Sequence, residues 1–184
     1  GASVVLAASS QESADVAVDK LKEKYPNAIV AGISPNLASM ESVRKAFKEA
    51  TEKYGCVDIL VNNAGIIKRC DAVDVTEADW DTVIDINEKV VFFLSQAFAK
   101  QYIKQQDGGK IINVASMLSY QGGIRVPSYT ASKSAIMGLT KALANEWAKY
   151  NINVNAIAPG YMATNNTAQL RSCLLYTSPS PRDR

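Results

Sequence analysis

The sequence has 184 residues, of which 47% are hydrophobic, and a formal net charge of +2. This length and composition suit one domain with a sizeable core, and no apolar run approaches the ~20 residues that a membrane span requires. The basic residues are scattered, so neither a nucleic-acid nor a membrane surface is indicated. There are no histidines and the three cysteines are widely spaced, so we expect no metal site, no disulfide framework and a reducing, cytoplasmic setting.

Short apolar runs alternate along the chain with segments whose apolar residues recur at helical spacing. This alternation is typical of a parallel sheet covered by helices on both faces, so we predict an α/β fold with a doubly wound sheet. The predicted strands cover residues 1–8, 28–31, 57–61, 110–115 and 152–157. The helical stripes, which we assign to the core, are Ala14/Val18/Leu21/Tyr25, Met40/Val43/Phe47/Tyr54, Val90/Phe93/Leu94/Ala97/Phe98 and Ile136/Leu139/Leu143/Trp147.

Tyr129 is the most informative residue, because Lys133 follows it four positions later on a predicted helix. Positions i and i+4 share a helix face, and an ammonium beside a phenol favours the phenolate. Ser116 ends the strand at 110–115, and open α/β sheets bind ligands at the carboxyl ends of their strands. The three side chains together predict acid/base chemistry at an alcohol or carbonyl group. The alternative is a solvated tyrosine–lysine pair on a helix surface.

Three further short motifs lie before and after these residues in the sequence. Residues 62–65 read Asn-Asn-Ala-Gly, residues 85–87 read Asp-Ile-Asn, and Pro159-Gly160 is followed by Thr164. With Ser116 and the Tyr-x-x-x-Lys spacing, these motifs resemble those of the short-chain dehydrogenase/reductase family across residues 1–171. The resemblance implies a Rossmann-like sheet, here incomplete, and hydride transfer between a nicotinamide cofactor and a secondary alcohol or ketone.

The resemblance also implies a role for each motif residue. The implied catalytic residues are Ser116, Tyr129, Lys133 and Asn87, of which Asn87 holds a water of a proton relay; a plain helix-cap asparagine is its alternative. Ser9 and Ser10 stand where cofactor choice is normally made and supply neither an acid nor a base, so NAD and NADP both stay open. The implied cofactor-binding residues are Asn36, Asn62, Asn63, Ala64, Gly65, Tyr129, Lys133, Pro159, Gly160 and Thr164.

The loops at 116–127 and 158–166 bear on the substrate. They resemble those of sugar-acid dehydrogenases that act on 2-deoxy-D-gluconate or 2-dehydro-3-deoxy-D-gluconate, which implies a small sugar-acid substrate held by Ser116 and Tyr129. Arg125 is the candidate for the substrate carboxylate, because a guanidinium fork matches that group; a solvated loop charge is the alternative. Another polyol or keto acid, and a dinucleotide-binding module without catalysis, are the other readings of the sequence.

Both ends of the sequence depart from the family pattern. The Gly-x-x-x-Gly-x-Gly turn that would bring backbone N–H groups to the cofactor pyrophosphate does not occur in the sequence. Residues 172–184 resemble translated adaptor or vector sequence, and a natural disordered tail is the alternative. We therefore expect residues 1–171 to be part of a dinucleotide-binding domain and this chain by itself to be inactive. For the parent protein, the resemblance implies a homodimer or homotetramer.

Overall fold

A computed structural model describes residues 2–160, in which parallel strands alternate with helices as the sequence predicts. Thr164 and the expected tail at 172–184 lie outside these residues. The strands are β1 Val4–Ala7, β2 Val30–Ile33, β3 Ile59–Asn62, β4 Gly109–Val114 and β5 Ile152–Ile157. The helices are α1 Gln11–Lys24, α2 Met40–Tyr54, α3 Glu77–Ile84, α4 Val90–Gln105, α5 Leu118–Gln121 and α6 Pro127–Trp147, with a π-helical turn at Asp85–Lys89 between α3 and α4.

The strands form two parallel sheets within residues 2–160. β1 pairs with β2, and β4 lies between β3 and β5 in a three-stranded sheet. The two sheets are not joined by strand pairing within these residues. Because all strands of the second sheet run in the same direction, the residues after β3, β4 and β5 meet at one edge.

Local sequence signals explain where the helices begin. Ser10, Ser39 and Thr76 each precede a helix, and each side-chain oxygen accepts a hydrogen bond from a backbone N–H three residues later. Pro127 is the first residue of α6, where its fixed φ suits a helix and its missing N–H costs nothing. Pro127 therefore marks the start of α6, which has no side-chain cap of its own.

The main core lies where α4 and α6 pack on one face of the three-stranded sheet. Phe98 and Tyr102 of α4 meet Ile111 of β4, and Leu143 and Trp147 of α6 close the same cluster. The Tyr102 hydroxyl donates to the Val57 carbonyl, which ties this helix to the residues before β3. Ile59, Val61 and Ile157 are exposed on the same three-stranded sheet. The described residues therefore bury only part of the apolar surface of these strands.

Two residues assigned to helical core stripes are exposed instead. Tyr25 is 52% exposed and Tyr54 is 39% exposed. Tyr25 follows the last residue of α1 and Tyr54 is the last residue of α2, so both lie at helix ends rather than above the sheet. The segment expected to be a loop after Ser116 contains the short helix α5. Within the described residues, no helix is long and apolar enough to cross a membrane.

Candidate active site

Ser116 lies at the carboxyl edge of the three-stranded sheet, two residues after β4 ends. Its side chain is buried, and its hydroxyl oxygen accepts a hydrogen bond of 3.1 Å from the Leu118 N–H. The neighbouring Met117 N–H donates to the Pro159 carbonyl at 3.1 Å, which extends the pairing of β4 with β5. This bond brings the Pro159-Gly160 turn to the same edge as the serine.

Tyr129 and Lys133 face this edge from the first turns of α6. Tyr129 is half-buried, whereas Lys133 is only 4% exposed. The Lys133 Nζ lies 5.8 Å from the centroid of the Tyr129 ring and donates to the Val114 carbonyl at 2.6 Å. Burial lowers the pKa of Lys133 from 10.5 to about 8. The structure therefore places the ammonium between the phenol ring and the end of the strand that leads to Ser116.

Asn87 is fully buried in the π-helical turn. Its Oδ1 accepts from the Ile66 N–H at 2.8 Å, and its Nδ2 donates to the Ile66 carbonyl at 2.9 Å. Nδ2 also donates to the Ser132 Oγ at 3.1 Å. Two opposite hydrogen bonds to one backbone residue define which side of the amide is oxygen. π-helical turns within α-helices occur frequently at functional sites, and here the turn aims an amide at the segment after β3.

Gly65 brings the segment after β3 into the same group of residues. A Cβ at this glycine would lie 3.1 Å from the Asn87 Oδ1 and 3.5 Å from the Lys133 Nζ. The adjacent Asn63 and Ala64 are exposed at the sheet edge. The structure thus brings Gly65, Asn87 and Lys133 together, and small residues leave the edge open.

Asn62 lies differently from its neighbours in the motif. Its side chain is buried, and Nδ2 donates to Ser95 Oγ at 3.0 Å and to Asn113 Oδ1 at 2.9 Å. Asn113 in turn donates to Thr140 Oγ1 at 2.9 Å. The Asn62 side chain therefore links β3 to α4 and β4, and only its backbone faces the edge where we expected cofactor contacts.

Asn36 follows β2 of the two-stranded sheet, whereas residues 62–65 and 159–160 follow strands of the three-stranded sheet. Asn36 precedes α2 and is exposed, and its Oδ1 already accepts from the Ala38 N–H at 3.0 Å. Its own N–H donates to Ser42 Oγ at 2.9 Å. These bonds form a local turn, so an adenine amino group would have to use the second lone pair of the amide oxygen.

Arg125 pairs with a residue that sequence reasoning did not single out. Its Nε lies 2.9 Å from the Asp71 Oδ1, and both side chains are more than half exposed. Its carbonyl accepts from the Cys70 N–H at 2.9 Å, and its φ of 63° is in the left-handed region. The pair and the backbone bond together join the segment after β3 to the loop after Ser116.

The comparisons with known proteins identify the family of the chain. The short chain dehydrogenase family model matches residues 1–174. A 2-dehydro-3-deoxy-D-gluconate 5-dehydrogenase from Dickeya dadantii is 70% identical over 125 residues, which are 68% of this chain and 49% of that protein. The chain therefore spans about half the length of this curated relative.

Two solved structures share the fold over 96% of this chain and 68% of their own. One is a protein from Agrobacterium tumefaciens proposed to be a 2-deoxy-D-gluconate 3-dehydrogenase, with bound NADP, at 47% identity and a TM-score of 0.86. The other is a gluconate 5-dehydrogenase from Burkholderia cenocepacia in complex with NADP and tartrate, at 31% identity and a TM-score of 0.88. The incomplete doubly wound sheet predicted from the sequence is thus confirmed, and the chain belongs to the short-chain dehydrogenase family.

Proposed function

We propose that the parent protein is an NAD(P)-dependent oxidoreductase that interconverts a secondary alcohol and a ketone of a sugar acid. The substrate class is 2-deoxy-D-gluconate or 2-dehydro-3-deoxy-D-gluconate. The observation that carries the proposal is the meeting of Ser116, Tyr129 and Lys133 at one sheet edge, with Asn87 beneath them. The names of the Dickeya and Agrobacterium proteins support the substrate class.

The open edge fits a nicotinamide dinucleotide, either NAD or NADP. Ala64, Gly65 and Gly160 carry little or no side chain, and among residues 2–160 a Cβ at Gly160 would approach only Met117 Cγ, at 3.9 Å. We assign the nucleotide to the backbone of residues 62–65 and to Pro159-Gly160, with Thr164 beyond and Lys133 as a donor. When bound, the nicotinamide would supply the hydride acceptor or donor.

The side chains of the site carry out the proton transfer. In the oxidative direction, the Tyr129 phenolate takes the proton of the substrate hydroxyl, and the Ser116 hydroxyl holds the same oxygen. The buried Lys133 ammonium favours the phenolate, because its charge is screened little by water. In the reductive direction the phenol returns the proton to the forming alkoxide.

Asn87 can take part in a proton relay only as an acceptor. Both hydrogens of its amide are already donated, one to the Ile66 carbonyl and one to Ser132 Oγ. A relay water would therefore have to donate to the remaining lone pair of Oδ1 or to the backbone carbonyl. In the proton relay that the family implies, Asn87 would therefore accept a hydrogen bond from the water and donate none to it.

Arg125 is our candidate for the substrate carboxylate, in exchange for its present partner Asp71. An ion pair this exposed contributes only about 0–1 kcal/mol, so a second carboxylate can compete for the guanidinium. The loop that carries Arg125 leads from Ser116 to the start of α6. We therefore propose that the carboxylate of the sugar acid binds beside this loop.

A substrate panel tests the proposal. The protein to assay is this chain completed at both ends with the matching segments of the Dickeya dadantii relative, called here the completed chain. We expect reduction of NAD⁺ or NADP⁺ with 2-deoxy-D-gluconate and much slower reduction with uncharged polyols. Turnover of polyols alone would contradict the substrate class. Cofactor binding without turnover of any alcohol or ketone would favour the non-catalytic dinucleotide-binding module.

Matched substitutions test the role of Arg125 in the completed chain. Arg125→Leu should raise KM for the sugar acid by about tenfold or more and spare a neutral polyol, because only the acid loses a charge-assisted pair. Asp71→Asn is the control, since it breaks the ion pair but keeps the guanidinium. Equal effects of the two substitutions on both substrates would show that Arg125 serves only the loop.

A further inference from the structure

Ser132 lies between Tyr129 and Lys133 in the sequence, but the sequence motifs assigned it no role. It is fully buried on α6, three residues after Tyr129 and one before Lys133. Its hydroxyl donates to the Tyr129 carbonyl at 2.8 Å and accepts from Asn87 Nδ2 at 3.1 Å. One hydroxyl thus joins the helix of the phenol to the π-helical turn of the asparagine.

The chain of bonds continues beyond Asn87 into the segment after β3. The asparagine amide holds both the N–H and the carbonyl of Ile66, whose neighbour Gly65 lies close to Lys133. Three segments distant in sequence, at 65–66, 87 and 129–133, are therefore linked, and the link between the last two passes through Ser132. Each of these segments carries a residue that the proposed chemistry uses.

The bond from Asn87 has no alternative partner among the contacts that the structure records. One Nδ2 hydrogen is used by the Ile66 carbonyl, and only the Ser132 oxygen takes the other. A buried N–H that loses its acceptor costs more than the bond itself contributed, because no water replaces it. Without the hydroxyl, the amide or the helix would have to shift to find another acceptor.

We propose that Ser132 is a positioning residue, which fixes the Asn87 amide against the helix that carries Tyr129 and Lys133. This inference rests on the proposed function, since positioning matters only if those side chains perform the proton transfer. The hydroxyl contacts neither substrate nor reacting atoms in this arrangement. It acts by fixing the position of Asn87 Oδ1 relative to the Tyr129 phenol. A preorganised site requires that such positions vary little.

The same helix offers a matched control. Thr140 is also buried on α6, its hydroxyl also donates to a carbonyl of its own helix, Ile136, at 2.7 Å, and it also accepts from a buried asparagine, Asn113. Removing either hydroxyl therefore leaves one buried amide N–H without its acceptor. Ser132→Ala and Thr140→Val should lower stability to a similar extent, but only the first loosens the site.

Kinetics of the completed chain separate positioning from a purely structural role. We expect Ser132→Ala to lower kcat by about tenfold, with KM for the cofactor and sugar acid changed by less than roughly threefold. Thr140→Val should leave kcat within roughly threefold of the unsubstituted protein. Equal losses in the two variants, or an unchanged kcat in Ser132→Ala, would overturn the proposal.

A second measurement does not depend on turnover. Hydrogen exchange of the Asn87 side-chain amide, followed by NMR, should be slow in the completed chain and faster in Ser132→Ala but not in Thr140→Val. Unchanged exchange in Ser132→Ala would also overturn the proposal. If the unsubstituted completed chain turns over no sugar acid while Asn87 exchange responds as expected, the proposed function fails and the positioning contact stands.

Discussion

The two sheets of this molecule differ in how much they bury. The sheet of β3, β4 and β5 packs under α4 and α6 around side chains such as Phe98 and Ile111, neither of which is exposed at all. In the unit of β1, α1 and β2, only Ala14 and Val18 are buried. A site that must hold side chains in fixed relation requires rigid surroundings, and the candidate catalytic residues all belong to the well-packed sheet or its helices.

The predicted cofactor residues also differ between the two sheets. Those expected near the nicotinamide, at 62–65 and 159–160, follow strands of the well-packed sheet, whereas Asn36 follows β2 and is exposed. The polar contacts of Asn36 are local, within six residues. The candidate catalytic side chains therefore lie against the buried sheet, whereas Asn36 is exposed beside the less buried one.

Two isoleucine substitutions give the largest difference between the regions. Ile111→Ala in β4 removes a fully buried side chain and should lower the free energy of unfolding by about 3–5 kcal/mol. Ile33→Ala in β2 truncates a half-buried side chain and should cost roughly 1 kcal/mol. Urea unfolding of the completed chain and both variants measures the difference. Equal losses would contradict the unequal packing of the two sheets.

The pH dependence of stability sharpens the comparison at Lys133. Burial lowers its pKa to about 8 in the folded chain, from an ordinary value of 10.5. Between these values the unfolded chain keeps a proton that the folded chain has lost, so stability rises with pH, by up to about 3 kcal/mol in total. Below pH 8 both states are protonated and the cost of the buried charge is present in full.

Unfolding measured from pH 7 to 10 checks this prediction. Burial raises the pKa of Tyr102 above the ordinary value of 10.0, so this group makes stability fall with pH only from the upper end of the window. Lys133→Met should abolish the rise in stability. A rise of the same size in Lys133→Met would assign the effect to other groups.

Gly65→Ala should have the smallest effect of the three. The added methyl would stand 3.1 Å from Asn87 Oδ1, which must move by a few tenths of an ångström, whereas Lys133 Nζ at 3.5 Å is at ordinary contact distance. We expect a loss of about 1 kcal/mol in stability and a several-fold loss of kcat in the completed chain. Gly138→Ala on α6 is the control, because a Cβ there meets none of the described residues within 4 Å and alanine favours the helix. A larger kcat loss in the control would contradict the crowding at Gly65.

Patterns along the sequence predicted the strands and the side chains of chemical interest. Hydrophobic periodicity marked β5 at its observed limits, and the motif at residues 85–87 lies on a π-helical turn in the structure. Ser132 and Asn113 were not singled out, because the local sequence around a small polar residue does not show its distant partner. Their roles depend on Asn87 and Thr140, which are 45 and 27 residues away in sequence.

Distant partners also explain why the sequence did not define the contacts of Asn62 and Arg125. The Asn-Asn-Ala-Gly motif predicted contacts for Asn62, but its side chain is turned inward by partners on α4 and β4. The pairing of Arg125 with Asp71 depends on two loops that leave neighbouring strands. Long-range pairing of polar groups has no fixed spacing, so one sequence does not reveal it.

Turnover by the Tyr129→Phe variant of the completed chain tests the central claim most directly. The substitution keeps the ring beside Lys133 and removes only the hydroxyl. We predict that kcat with the sugar acid falls by about 10²–10⁴-fold or more, while the Kd of the cofactor stays within about threefold of the unsubstituted value. Retention of a tenth or more of the original kcat would show that the proton is transferred by another group.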